Sequence, residues 1–149
     1  MSYTLQAVVS SMSVRDIAAI LGLEQVQLQC GLYLIPIPYK YVNEHGLPFL
    51  PLTDEGTEHI GDELLGICLK LSERGKIAYV EAEFFGGQGT QGCSLLEYGT
   101  VVEAPKESKS AINYALKWLG VLSTESKDEF EIAGLGMQRS TEDWLRKNA

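Results

Sequence analysis

The sequence predicts a single α+β domain over residues 1–149, built as a mostly antiparallel sheet with helices packed against it. Some segments alternate apolar and polar residues with a period of two, as strands do, and others repeat at helical spacing. Three predicted strands are neighbours in the middle of the chain, which favours antiparallel pairing. With 149 residues and 45% apolar content, the chain can bury one core.

The N-terminal third is predicted to form a strand, a helix and a second strand. Residues 3–10 alternate in polarity, which indicates a half-buried strand. Ser13 precedes an apolar helical face that Gly22 can end, so we expect Ser13 to cap this helix. Residues 26–35 carry apolar side chains in one parity, and a bulge or a break is expected at Gly31.

Residues 36–56 are predicted to be the longest irregular segment. Four prolines exclude a long helix or a central strand there: Pro36, Pro38, Pro48 and Pro51. The apolar content of the segment indicates that it packs against the rest of the domain. Long irregular segments in compact domains often carry function, so this one is a candidate region.

The remaining helices and strands are predicted from the helical spacing and the strand alternation described above. A helix is predicted where apolar residues recur every third or fourth position, and a strand where they alternate. In chain order these elements are a helix over 57–74, strands over 76–85, 93–98 and 100–103, a helix from Ser108 or Ser110 to Gly120, and a short helix capped by Thr141.

The net charge of −8 and the pI of about 4.7 mark an acidic protein. No Lys or Arg occurs between Tyr41 and Leu69, and the basic residues form no patch that would attract a nucleic acid. We therefore expect no nucleic-acid partner. The same field would attract a basic protein. The alternative is that the charge serves solubility alone.

Cysteine usage and hydropathy predict a cytoplasmic protein that does not bind a membrane. The three cysteines are odd in number and lack C-x-x-C spacing, which argues against a disulfide framework or a thiolate zinc site. The N-terminus carries no basic region before its apolar residues, so we expect no signal peptide. No apolar run approaches the length of about 18 residues that a membrane span needs.

Residues 87–92 fit the pattern G-x-G-x-x-G of dinucleotide-binding turns. Such a site needs a helix directly after the pattern, and Gly99 interrupts the residues that follow too early for one. We therefore predict a glycine-rich hairpin that turns one strand into the next. A different ligand loop is the alternative, with contacts from Gly87, Gln88, Gly89, Thr90 and Gln91.

Glu81 and Glu83 lie two positions apart on the strand predicted over 76–85, so their carboxylates share a face about 7 Å apart. Tyr79 and Phe85 flank them on that face. The separation fits an inverting glycosidase pair, while acids interleaved with aromatics suit contact with a basic protein. We predict all four as partner-binding residues and keep acid–base chemistry by the two glutamates as the alternative.

A polar cluster near the start of the long helix has metal-binding side chains. Glu55, His59, Asp62 and Glu63 can share one helix side at spacings of three and four, and such side chains bind divalent cations. A solvated face opposite the apolar stripe explains the same residues. No motif such as H-E-x-x-H is present. We assign no metal ligand, no cofactor and no catalytic residue.

Two stretches resemble motifs of a family of small bacterial cytoplasmic proteins of uncharacterised function. Residues 78–91 are similar to a phrase AYVEAEYFGG followed by G-x-Q, and residues 141–145 to a C-terminal TEDWL. Phe85 stands where the family pattern has Tyr. With the opening residues 3–8, the resemblance spans nearly the whole chain. It implies no established activity, although size and acidity are similar to those of immunity proteins that neutralise toxins.

The sequence leaves two hypotheses for function. The first is a cytoplasmic protein-binding protein without catalysis, such as an immunity-type inhibitor of a basic toxin. The second is a small enzyme or ligand-binding domain that uses the glycine-rich hairpin and the Glu81/Glu83 pair. An exposed, convex acidic face would favour the first hypothesis, and two buried carboxylates in a cleft would favour the second.

Overall fold

One six-stranded antiparallel sheet organises the chain. The computed structural model describes residues 2–86 and 88–145. Its strands are β1 (Ser2–Ser10), β2 (Val26–Gln27), β3 (Tyr33–Pro36), β4 (Lys76–Phe85), β5 (Gln88–Glu97) and β6 (Thr100–Ser108). They follow the order β2-β3-β1-β4-β5-β6, and every neighbouring pair is antiparallel. The predicted α+β class is confirmed.

Helices cover both faces of the sheet. They are α1 (Arg15–Ile20), α2 (Tyr39–Glu44), α3 (Asp62–Leu71), α4 (Ala111–Trp118) and α5 (Glu129–Ala133), with 3₁₀ turns at Leu135–Met137 and Glu142–Leu145. Alternation along β4 divides the core into two halves. Ala78, Val80 and Ala82 pack with α4 and α5, whereas Ile77 and Tyr79 pack with α1, α2 and α3. The central strand is therefore buried on both faces.

The break expected at Gly31 is present: residues 26–35 form two strands, β2 and β3, and few residues besides glycine adopt the φ of 92° found there. Several other predicted elements differ from the structure in extent. Strand β5 begins at Gln88 and not at residue 93, β6 continues to Ser108 and not to residue 103, and α2 lies within the segment predicted as irregular over 36–56. The helix predicted from residue 57 begins only at Asp62. Gly61, with φ 85°, keeps the backbone out of the helical region just before it.

Helix α5 begins in an acidic stretch, where the apolar periodicity predicts no helix. Its start is specified by a capping box, because the Asp128 side chain accepts the backbone N–H of Glu131 while the Glu131 side chain accepts that of Asp128. Gly134, in the left-handed conformation, ends the helix.

No side chain caps the N-terminus of α1. We expected Ser13 to cap this helix, but its hydroxyl accepts Gln25 Nε2 at 3.0 Å. The Oε1 atom of the same Gln25 amide accepts the backbone N–H of Val14, the residue that precedes α1, at 2.7 Å. The loop after α1 therefore folds back and is tied to the residues before the helix.

The C-terminal segment is tied to β1 and to α2. Thr141, the predicted cap residue, uses its hydroxyl to accept the N–H of Gln6 at 3.0 Å. Ser140 Oγ takes the capping position and accepts the N–H of Asp143. Glu142 Oε2 accepts the N–H of Tyr39, the first residue of α2, at 2.8 Å. The motif at 141–145 thus has a structural role.

Candidate functional site: a buried carboxylate beneath residues 48–57

The side chain of Glu81 is fully buried in the middle of β4 and holds an irregular segment against the sheet. Its Oε1 accepts the backbone N–H groups of Leu52 and Thr53, each at 3.0 Å, and the Thr53 hydroxyl at 3.1 Å. Its Oε2 accepts the Tyr79 hydroxyl at 2.5 Å. Residues 48–57, which we call the covering segment, lie over this carboxylate.

Tyr79 and Gln6 extend the hydrogen bonds to the start of the covering segment. Gln6 Nε2 donates to the Tyr79 hydroxyl and to the carbonyl of Pro48, both at 3.1 Å. Gln6 Oε1 accepts the N–H of Leu50 at 3.3 Å. The covering segment makes turn hydrogen bonds of its own, such as that from the N–H of Asp54 to the carbonyl of Leu50. One chain of polar groups from β1 and β4 satisfies backbone groups that these turns leave unpaired.

Gly92 leaves the space that the covering segment occupies. It is the partner of Glu81 in the β4–β5 register. A Cβ atom at Gly92 would lie 2.8 Å from Leu52 Cβ, closer than carbon atoms approach. Leu52 therefore packs directly on the sheet and brings its N–H to the Glu81 carboxylate. Leu50 adopts φ 44°, which is uncommon for leucine and is held by these contacts.

Burial dominates the titration of this network. Loss of solvent raises the pKa of Glu81 even though four donors favour its charged form. Burial likewise raises the pKa of Tyr79 well above its usual value, and the Glu81 carboxylate adds to the shift. The Tyr79 hydroxyl thus keeps its proton and serves as a permanent donor to Glu81.

The structure separates the four residues predicted to bind a partner. Tyr79 and Glu81 are both 0% exposed, so they are unavailable for direct contact with a protein surface in this arrangement. They are buried because the covering segment lies over them and its backbone amides donate hydrogen bonds to the Glu81 carboxylate. Glu83 is half-buried, and Phe85, at the end of the hairpin, is 61% exposed. Partner binding by these last two residues stays a prediction.

Glu83 faces a second carboxylate. Asp54, in the covering segment, lies close to Glu83, and its negative charge and hydrogen-bonding capacity both favour the protonated form of Glu83. Partial burial and this neighbour together raise the pKa of Glu83. The acid nearest to Glu83 is therefore Asp54 and not Glu81. The carboxylate of Glu81 lies below, and both of its oxygens already accept hydrogen bonds. Glu81 and Glu83 do not open into one cleft that a substrate could enter.

Further acids surround the Asp54–Glu83 contact and define what we call the acidic surface. Glu55 follows Asp54 in the same exposed turn, and Glu58 lines a cavity with Glu107 of β6. The acidic surface thus consists of Asp54, Glu55, Glu58, Glu83 and Glu107. The ion pairs of the described residues join Lys40 to Glu44, Arg74 to Asp16 and Lys106 to Glu103, all outside it.

The glycine-rich stretch forms a hairpin, as the sequence predicts, but residues 88–92, which we expected in the turn, belong to strand β5. Phe85 pairs with Gln88, so the turn between β4 and β5 contains two residues. Gly86 has φ 58°, as tight hairpin turns require, and Gly87 lies outside the described residues. A ten-residue strand follows where a dinucleotide site needs a helix.

Of the residues in the alternative ligand loop, Gln91 has a clear structural role. Its Oε1 accepts the backbone N–H of Ile112 at 2.9 Å and so caps α4, where Ser110 makes no side-chain cap. Gln88 and Gly89 are exposed at the hairpin, and Thr90 is half-buried opposite Glu83.

The predicted polar cluster at the start of α3 is spread over two elements. Glu55 and His59 precede the helix, whereas Asp62 and Glu63 begin it. His59 also contributes its carbonyl to the Thr57 hydroxyl at 2.8 Å, a contact that shapes the turn. Within residues 2–86 and 88–145, no group of three or more potential metal-binding side chains converges.

Several members of the site cannot be recognised from local sequence patterns. Gln6, Leu52 and Thr53 contact the carboxylate network from positions 28 or more residues away in the chain, so no local pattern joins them to Glu81. The position of Gly92 could have indicated the site, because a glycine inside a strand often marks a close approach of another backbone. Nothing in the sequence besides its charge indicates that Asp54 belongs to the site.

Comparisons of the chain with protein-family models, with curated proteins and with solved structures find no match. Among the residues that the structure describes, no helix is both long enough and apolar enough to cross a bilayer. The site therefore has to be interpreted from its own geometry.

Replacement of Glu81 tests the carboxylate. We expect Glu81→Gln to lower the free energy of unfolding by about 1 kcal/mol and Glu81→Ala by about 3 kcal/mol, because alanine leaves buried amides unpaired.

The pKa of Glu81 is raised in the folded state, so its contribution to the free energy of unfolding is complete below its unfolded pKa, near 4.5, and declines as the pH rises. The advantage of wild type over Glu81→Gln in urea denaturation should therefore shrink as the pH rises above about 4.5. An advantage that grows with pH would contradict this.

Replacement of Gly92 tests the packing of the covering segment. Gly92→Ala should lower the free energy of unfolding by about 1–3 kcal/mol, because its Cβ collides with Leu52. Gly66→Ala, within α3, is the matched control: its Cβ meets nothing within 4 Å, and the better helix former should stabilise the protein by up to about 1 kcal/mol. Equal stability of Gly92→Ala and wild type in thermal denaturation would refute the packing.

Proposed function

We propose that this chain is a non-catalytic, cytoplasmic binding protein for a basic protein partner, acting as an immunity protein does toward a toxin. The observation that carries the proposal is the contact between Glu83 and Asp54 at the surface. Two neighbouring carboxylates repel each other, and burial together with that repulsion raises the pKa of Glu83. A partner's Arg or Lys placed between them would relieve it.

The surroundings of this contact support a protein as the partner. The other acids of the acidic surface are exposed and lie outside the ion pairs of the described chain. Phe85, two positions beyond Glu83 on β4, offers an exposed aromatic ring. Aromatic residues are enriched in protein interfaces, and complementary charge steers association. The net charge of −8 would repel the phosphates of a nucleic acid.

A charge-reversal pull-down from the native host tests this function. Tagged wild-type protein should recover a basic protein in stoichiometric amount at low salt and release it when the salt concentration rises. The variant with Glu55→Lys and Glu83→Lys should lose the partner and stay folded, since the lysine introduced in place of Glu83 would face Asp54 with opposite charge.

The matched control carries Glu73→Lys and Glu125→Lys, two exposed positions outside the acidic surface. It makes the same change in net charge and should recover the partner in an amount close to that of wild type. Recovery of no stoichiometric partner by wild type would overturn the proposal. Equal loss with both double variants would also overturn it, because general charge and not the acidic surface would then be responsible.

A further inference from the structure

The outer edge of β6 is unpaired and borders a groove. β6 is the last strand of the sheet, and within the described residues no strand pairs with its outer side. It is also the most exposed strand, with Val101 38% and Val102 49% exposed. An exposed strand edge with apolar side chains is a common place for a partner chain to bind.

Two cavities lie side by side along β6 and share Ala104 and Pro105 as lining residues. The smaller one, of about 170 Å³, is mostly apolar; Ile60, Leu65 and Val101 line it, and His59 and Asp62 also border it. The larger one, of about 510 Å³, is lined by Leu52 and residues 56–58 on one side and by residues 104–107 of β6 on the other. Together they form what we call the β6 groove.

Backbone irregularities in β6 create the shared lining. Ala104 and Pro105 both lie opposite Ser94, which makes a bulge, and a second register shift occurs at Val102. Proline has no N–H to donate and bulges interrupt a ladder, so β6 resists the addition of a long regular strand. A partner segment in the groove must therefore be held largely by its side chains.

The larger cavity is acidic. Glu58 and Glu107 line it, and both are exposed. Lys106 also borders it, but its ammonium group lies over the ring of Tyr114, 3.5 Å from the ring centroid, on the α4 side of the sheet. The charge that a ligand in this cavity meets is thus negative, and a basic side chain would complement it.

We infer that the β6 groove binds a short extended segment of the basic partner, with an aliphatic side chain in the small cavity and an Arg or Lys in the large one. This inference rests on the proposed function and names the part of the partner that the protein contacts. Side chains two positions apart on an extended chain project to the same side about 7 Å apart. One segment can therefore fill both cavities.

Synthetic peptides test the groove without the natural partner. The probes are two fluorescein-labelled peptides of nine residues, the length of β6, that carry Leu and Arg two positions apart in a Ser/Thr background, one for each order of the two side chains. At least one order should bind in a fluorescence anisotropy titration up to about 1 mM peptide. Amide chemical-shift changes should be confined to residues 56–65 and 101–107.

Ala104→Trp, which fills both cavities, should weaken peptide binding about tenfold or more. Thr100→Trp is the matched control: it adds the same ring at the exposed first residue of the same strand, lines neither cavity and should keep the affinity within about twofold. A peptide with Arg replaced by Glu should not bind.

Three results would each contradict peptide binding in the β6 groove. They are failure of both peptides to bind, an affinity that Ala104→Trp leaves unchanged, and chemical-shift changes outside residues 56–65 and 101–107. These outcomes leave the pull-down result untouched, so a wrong groove can be told from a wrong function. If the pull-down fails while the peptides bind as expected, the groove stands and the proposed type of partner is wrong.

Discussion

The rest of the site depends on one constraint: the carboxylate of Glu81 is buried and must be paired. A buried charge without partners is costly, and here the partners are the amides of Leu52 and Thr53, the Thr53 hydroxyl and the Tyr79 hydroxyl. The covering segment in turn has backbone groups that its own irregular path cannot satisfy. The amides of the covering segment supply the donors that Glu81 needs, and Glu81 supplies the acceptor that those amides need. Strand β4 and residues 48–57 therefore stabilise a single arrangement together.

This arrangement positions both surfaces on which the proposed function and the proposed groove depend. Because Leu52 is held on Gly92, the next residues bring Asp54 beside Glu83 and set Glu58 across from Glu107. The acidic surface and the larger cavity of the β6 groove therefore rest on the same buried contact. Of the four residues predicted to bind a partner, Tyr79 and Glu81 act underneath. The proposed contacts are Glu83 and Phe85 of the same strand together with less conspicuous acids such as Asp54 in the proline-rich segment.

The sequence predicts what local patterns encode and misses what distant contacts decide. Strand β4 is predicted with its observed bounds, and the turn at Gly86 is predicted as a hairpin, because period and glycine chemistry are local. The burial of Glu81 escapes prediction since Leu52, which covers it, lies 29 residues earlier in a segment with no periodic pattern. Helix α5 escapes for another reason, as its capping box lies in an acidic stretch with few apolar positions.

Amide hydrogen exchange measured residue by residue tests the central claim most directly. If Glu81 holds the covering segment, the amides of Leu52 and Thr53 should exchange about as slowly as those of β4, although they lie outside regular structure. In Glu81→Ala their protection should be lost while β4 stays protected. Exchange of both amides in the wild-type protein as fast as that of the exposed Glu125 would contradict the account.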